Sequence, residues 1–386
     1  MLDEAETLVP MRALLAGARR KQSQLLNLTQ NLVKIESPSD DKEAVDACMA
    51  LAAARAKELG GRIKLHRQRE CGNTLEARFG PRRPSAGKPV LLLGHLDTVW
   101  PLGTLKCMPC RLRAGRLHGP GVLDMKAGVA MALTALEMLA ETELLQREIV
   151  LLLNGDEEIG SPASRPITER VAAACGAVYV LEPAHGLACK TARKGTGNWR
   201  IEVRGVAAHA GLDFEKGANA IRELARAVET VSGWTDLKRG LTVNVGVAGG
   251  GSKSNVVPAE AWAEVDVRIA RKADGARIER RFAGLKPADK RCALTVTGGI
   301  NRPPMERTRG TVQLYRKARA LAVEMGFAVD EAAVGGASDG NFTSALGIPT
   351  LDGMGAVGEG AHAAHESIVV EHLAPRTALL AGMLAR

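Results

Sequence analysis

Three features of the sequence predict an α/β protein: a mixed, mostly parallel sheet flanked by helices, with a ferredoxin-like α+β domain inserted. Segments of helical period alternate with short Val/Leu-rich runs up to about residue 185, the pattern of helices covering a parallel sheet. Those runs, at 89–93, 149–153 and 178–181, are nearly continuous in apolar residues, as strands buried on both faces are. From about Gly197 six elements follow in β-α-β-β-α-β order, the split βαβ arrangement.

In chain order, the acidic Asp3, Glu4 and Glu6 come first, and Arg12, Arg19, Arg20 and Lys21 follow the short apolar stretch; a secretory signal has the reverse order, so none is expected. After the strand at 89–93 comes a helix whose apolar face includes Val129, Leu133, Leu136 and Leu139. Its most apolar stretch, 129–139, is broken by Glu137 and is shorter than the ~20 residues that span a bilayer, so no membrane crossing is expected. The inserted domain reads as strand 199–203, helix 218–231, strands 242–247 and 261–269, helix 273–283 and strand 293–297. A helix at 310–325, the acidic Asp330 and Glu331, the GGASDGN turn and a strand at 348–351 resume the first texture. The expected division is a catalytic domain in two parts, 1–195 and 304–386, around an insert at 196–303. Gly and Pro cluster at 194–197 and 298–304, where short hinges are expected.

Composition narrows the function. The 386 residues are 46% hydrophobic, enough for a full core in two domains. The formal charge of +9 is spread without a long Lys/Arg block, and aromatics are only 3%, so no nucleic-acid partner is expected. Seven cysteines at irregular spacing argue for a reducing compartment, with cytoplasm as the expected location. Cys107 and Cys110 form one C-x-x-C, but no second pair answers it and no helix start follows, so neither a zinc nor a redox site is expected there.

The chemistry resides in five stretches that set an acidic residue or histidine at the end of an apolar run or in the next turn. They are GHLDT (His95, Asp97), GPGVLDMKAG (Asp124), NGDEEIGS (Glu157, Glu158), VLEP (Glu182) and GEGAHAAHE (His362). Sites in open α/β sheets collect at the carboxyl ends of strands, and imidazole and carboxylate ligands without cysteine suit zinc in a hydrolytic role. His95 and Asp97 lie two apart on an extended segment, so Asp97 or a neighbouring carboxylate can accept the second ring N–H of His95. Asp124 precedes a helix, where aspartate is also a favoured cap. Glu157 and Glu158 are adjacent and face different ways, so one can bind metal while the other takes a proton from water that the metal acidifies. Either His362 or His365 can be the last ligand. A dinuclear centre with one bridging carboxylate, and the ions about 3.5–4 Å apart, is charge-balanced by one aspartate, two glutamates and a hydroxide.

From about residue 25 to the C-terminus the chain resembles the co-catalytic zinc peptidases and deacylases, which include bacterial glutamate carboxypeptidase, aminoacylase, acetylornithine deacetylase and succinyl-diaminopimelate desuccinylase. The motifs are GHLDTVWP, GRLHGPGVLDMKAG, NGDEEIGS, VLEP, RKGTGNWRIEVRGVAAHAG, GGGSKSNVVP, GGASDGN and GAHAAHESI, in the family's order and closest in texture to the glutamate carboxypeptidase branch. The resemblance implies that His95 and Glu182 bind one zinc, Glu158 and His362 the other, and Asp124 bridges them. It further implies that Asp97 supports His95, that Glu157 is the general base, and that the Asp124–Met125 peptide is cis. The family's last ligand heads a pattern like H-S-P-D-E; HAAHE puts His362 at its head and His365 at the usual Asp/Asn position. The insert resembles the family's lid and dimerisation domain, which implies a homodimer. His209 matches a histidine that reaches the partner's active site and helps hold the oxyanion, and Asn255 and Arg302 match positions that hold a substrate carboxylate. Cobalt or manganese can stand in for zinc.

The expected activity is hydrolysis of the amide bond of an N-acyl or peptidyl amino acid with a free carboxylate. Hydrolysis of an N-acetyl or N-succinyl diamino acid keeps the same chemistry. A non-catalytic binding relative would show loss of Glu157 or of a ligand, and none is lost.

Overall fold

The computed structural model describes residues 10–80 and 87–385; Asp3, Glu4 and Glu6, weighed above for a signal, lie outside the described residues. The chain divides into two compact units, Met1–Thr191 with Arg307–Ala333 and Ser338–Arg386, and Ala192–Glu306 with Val334–Ala337. Val334–Ala337, expected with the second catalytic stretch, sits with the second unit because Lys194 N–H donates to Val334 O and the Arg193 guanidinium to the carbonyls of Gly336 and Ala337.

The first unit is built on a six-stranded sheet, ordered Arg62–His66, Thr74–Phe79, Ile149–Asn154, Val90–His95, Ala177–Val180 and Thr350–Leu351. The last four strands are parallel, and the first two are antiparallel additions at one edge. Val90–His95 and Ile149–Asn154 are buried at every position, which explains their unbroken apolar sequence. Their side chains alternate between two cores. Leu92, Leu151 and Leu153 meet the helices Ala127–Glu141 and Leu373–Ala385, whereas Leu91, Leu93, Val150 and Leu152 meet Ile167 and Val171 of the helix Arg165–Ala173. Each such side chain contributes about 1.5–3 kcal/mol by burial. Gly128 lets the helix Ala127–Glu141 approach the sheet, since a Cβ there would lie 2.1 Å from Leu181 O. A second small sheet, ordered Gly358–Glu359, Ser367–Val369, Arg116–His118 and Arg111–Arg113, brings the loop carrying His362 to the segment carrying Asp124.

The second unit is a four-stranded antiparallel sheet ordered Thr242–Gly250, Glu260–Ile269, Gly195–Arg204 and Ala293–Arg302, with helices Ala220–Ser232 and Lys272–Ala283. That strand order is the ferredoxin-like one. Trp199 stacks on Phe282 at 4.4 Å inside its core. The expected hinges at 194–197 and 298–304 are corrected here: Gly195 opens a strand and Ala293–Arg302 runs through the second cluster. Gly298 serves close strand approach rather than a turn, because a Cβ there would lie 2.1 Å from Asn198 O. No described helix is long and apolar enough to cross a membrane. Cys107 is exposed and Cys110 partly buried, both free thiols.

Candidate metal centre

The parallel strands deliver the first part of the centre. His95 ends its strand opposite Asn154, three residues before Glu157, and Leu181 N–H donates to Leu93 O, which sets Glu182 beside His95. His95 Nε2 lies 3.2 Å from Asp124 Oδ1 and 3.6 Å from Glu182 Oε1. His362 Nε2 lies 3.3 Å from both Asp124 Oδ2 and Glu158 Oε2. Two groups result, His95–Asp124–Glu182 and Asp124–Glu158–His362, sharing the two oxygens of one carboxylate. Asp124 does not act as a helix cap: Lys126 precedes the helix, with no side-chain cap, and the Asp124 carboxylate faces the two imidazoles. The Asp124–Met125 peptide is cis. His365 lies outside these groups, its ring packed over Gly360.

Asp97 does more than support His95. His95 Nδ1 is 3.0 Å from the Asp97 backbone carbonyl and 3.4 Å from its Oδ1. The fully buried carboxylate accepts Glu157 N–H on Oδ1 (3.1 Å) and Glu158 N–H (3.0 Å) and the Ser39 hydroxyl (2.7 Å) on Oδ2. One aspartate thus fixes the backbone of both glutamates. Asp156 Oδ2 accepts the N–H groups of Ala163 and Ser164, and the Ser161 hydroxyl donates to Asp339, so the turn after Glu158 is anchored on its far side too. Asp339 of GGASDGN is buried and also accepts from Asn154 Nδ2 at 2.7 Å.

The electrostatics express a demand for positive charge. Burial opposes charging of His95, yet the Asp124, Asp97 and Glu182 carboxylates raise its pKa well above the usual histidine value. Asp124 and then Glu158 raise His362 to about 10. Burial works against ionising Asp124, but His362 and His95 hold its carboxyl well below the usual carboxylate range. Burial pushes Glu158 up despite His362. Asp97, also buried, is held low by His95, Ser39 and the Glu158 N–H.

A divalent metal fits this donor set. Nitrogen and oxygen donors at about 2.0–2.1 Å around a tetrahedral zinc are about 3.3–3.4 Å apart, the scale of the 3.2–3.6 Å separations here. Glu158 Oε1 is buried without a hydrogen-bond partner among the described residues, an arrangement that a cation relieves.

The other site residues lie in the second unit. Exposed His209 pairs across a two-stranded ribbon with Val256, and Ala210 N–H donates to the carbonyl of exposed Asn255. His209 Nδ1 accepts from Gly211 and Leu212 N–H, which leaves Nε2 as the N–H donor of the neutral ring. Arg302 ends its strand after a register shift and is 7% exposed. Sequence reasoning missed Ser39, whose only signal is the polar SPSD turn after an apolar helix, and the buried Glu366, which closes HAAHE.

Comparison with known proteins agrees. Residues 91–386 match the sequence model of Peptidase family M20/M25/M40. The chain is 30% identical over 380 residues to carboxypeptidase G2 of Pseudomonas sp. strain RS-16, covering 96% of this chain and 91% of that one. It is 29% identical over 375 residues to a succinyl-diaminopimelate desuccinylase of Stenotrophomonas maltophilia strain K279a, covering 91% and 96%. Its fold is that of aminopeptidase PepT from Bacillus cereus, with a TM-score of 0.81 at 22% identity over 94% of this chain and 98% of that one. The chain therefore belongs to peptidase family M20/M25/M40, a metal-dependent family, and is a hydrolase of peptide or amide bonds.

Proposed function

We propose that the chain is a dizinc hydrolase that releases an amino acid with a free α-carboxylate from an N-acyl or peptidyl substrate, in the manner of a glutamate carboxypeptidase. The observation that carries this reading is the Asp124 carboxylate shared between two imidazole–carboxylate groups. His95 and Glu182 would hold one ion and Glu158 and His362 the other, with Asp124 common to both groups; cobalt or manganese could replace zinc. The ions, when bound, supply Lewis acidity toward the scissile carbonyl and acidify water.

Glu157 is the general base: it takes the proton of the attacking water and hands it to the leaving nitrogen. Its backbone N–H is held by Asp97, which fixes the point from which its side chain extends. By the resemblance, His209 would donate its Nε2–H to the oxyanion in the active site of the partner subunit, and Asn255 and Arg302 would hold the substrate carboxylate, for which a guanidinium fork is shaped. The second unit serves as lid and dimerisation domain. Leu212, Phe214 and Ile221 (81%, 61% and 44% exposed) favour a second copy of the chain as their cover. Cytoplasm is the proposed location.

The test combines metal content with activity. Chelated protein restored with zinc should hydrolyse an acyl-glutamate, and Glu157→Ala should retain metal while losing activity; hydrolysis at the wild-type rate by that variant sinks the assignment. Acetylornithine and a succinyl diamino acid in the same assay test the second reading, the chemistry for which the desuccinylase relative is named.

A further inference from the structure

Glu366 is 0% exposed, and its carboxylate accepts four N–H donors. Oε1 accepts from Leu123 N–H at 2.8 Å and Asp124 N–H at 3.1 Å; Oε2 accepts from Gly121 N–H at 3.0 Å and the Trp100 indole at 2.8 Å. Three of these donors are successive or near-successive backbone amides of the turn that carries Asp124, with Gly121 left-handed (φ 68°), a nest that selects an anion. Glu366 also belongs to the loop of His362: its own N–H donates to Ala363 O, and its carbonyl accepts from Gly119 N–H. The buried Lys126 amine, which donates to Ile35 O, interacts electrostatically with Glu366.

We infer that Glu366 is a positioning residue of the metal centre, clamping the Asp124 turn to the His362 loop so that the Asp124 carboxylate meets both imidazoles. This rests on the dizinc reading above. The two segments lie 242 residues apart along the chain, and this side chain joins them within four residues of one ligand and directly at the amide of another. Glutamine cannot replace it, because its amide nitrogen would put N–H against N–H on one side of the nest.

The experiment is cobalt(II) titration of chelated wild type, Glu366→Gln and Trp100→Phe, read by visible absorption, with circular dichroism establishing that each protein is folded. Glu366→Gln should bind cobalt ~10–100-fold more weakly and with an altered spectrum, the usual consequence of losing a ligand's support. Trp100→Phe removes the one donor outside the Asp124 turn and should weaken binding less than about threefold. Folded Glu366→Gln with wild-type affinity and spectrum overturns the inference, as does Trp100→Phe losing as much as Glu366→Gln. Should the Gln variant not fold, Glu366→Asp, which keeps the charge but withdraws it by one methylene, carries the test with the same outcomes. Wild type that takes up no metal overturns the dizinc reading itself, and this inference with it.

Discussion

Four candidate site residues of the first unit and two of the second are held in opposite ways, while Arg302 of the second unit is buried and His362 of the first is exposed. In the first unit, His95, Asp97, Glu157 and Glu182 are buried at strand ends, and their partners are one another. In the second, exposed His209 lies in a two-residue ribbon with its ring held by the amides of Gly211 and Leu212, and exposed Asn255 precedes the facing strand with its backbone carbonyl held by Ala210 N–H. Buried, interlocked carboxylates are expensive to leave uncompensated, so the first set is organised for a cation before substrate arrives. The second set is open to solvent. Changes in the first should therefore be felt in metal binding, and changes in the second only in turnover or substrate affinity.

The largest expected effect is at the shared carboxylate. Asp124→Ala should lose both ions and reduce hydrolysis to the level of chelated wild type, measured by metal analysis and turnover; retention of two ions would separate the groups that Asp124 joins. Next comes Glu157→Ala, expected to lower kcat ~10²–10⁴-fold with metal content unchanged. His209→Ala sharpens the contrast: kcat should fall ~10²–10³-fold with full metal occupancy, and metal loss in this variant would break the comparison outright. Arg302→Lys keeps the charge but not the fork, and should raise KM ~10-fold or more while sparing metal.

The same contrast explains what the sequence could tell. His95, Glu157, Glu158 and Glu182 were legible because strands buried on both faces read as unbroken apolar runs, and the site begins where each run stops. The strands Arg62–His66 and Thr74–Phe79 were not, since charged residues punctuate them and the first is fully buried at no position. Asp124 was ambiguous alone, because a helix cap and a bridging ligand demand the same residue at the same place. The glycines at 298 and 299 misled, being read as a hinge where tight strand contact requires one of them. The supporting residues were silent. Ser39 reaches Asp97 over 58 residues of chain and Glu366 reaches Asp124 over 242, and no local periodicity records such a contact.

Ser39→Ala carries the smallest expected effect and the finest test of how far the interlocking extends. Its hydroxyl donates to Asp97 Oδ2, the oxygen that also receives the Glu158 N–H, so its loss leaves the carboxylate with both backbone amides but without one neutral donor. A buried hydrogen bond to a charged group contributes about 1.5 kcal/mol, about a tenfold change in an equilibrium constant, part of which the two remaining amides recover. If the cluster acts as one body, the remainder should surface as about fivefold weaker metal binding, because Asp97 passes the loosening to Glu158 through its N–H. If it surfaces only as a lower melting temperature at unchanged metal affinity, Asp97 holds the fold rather than the ligands, and the centre ends at its own donor atoms.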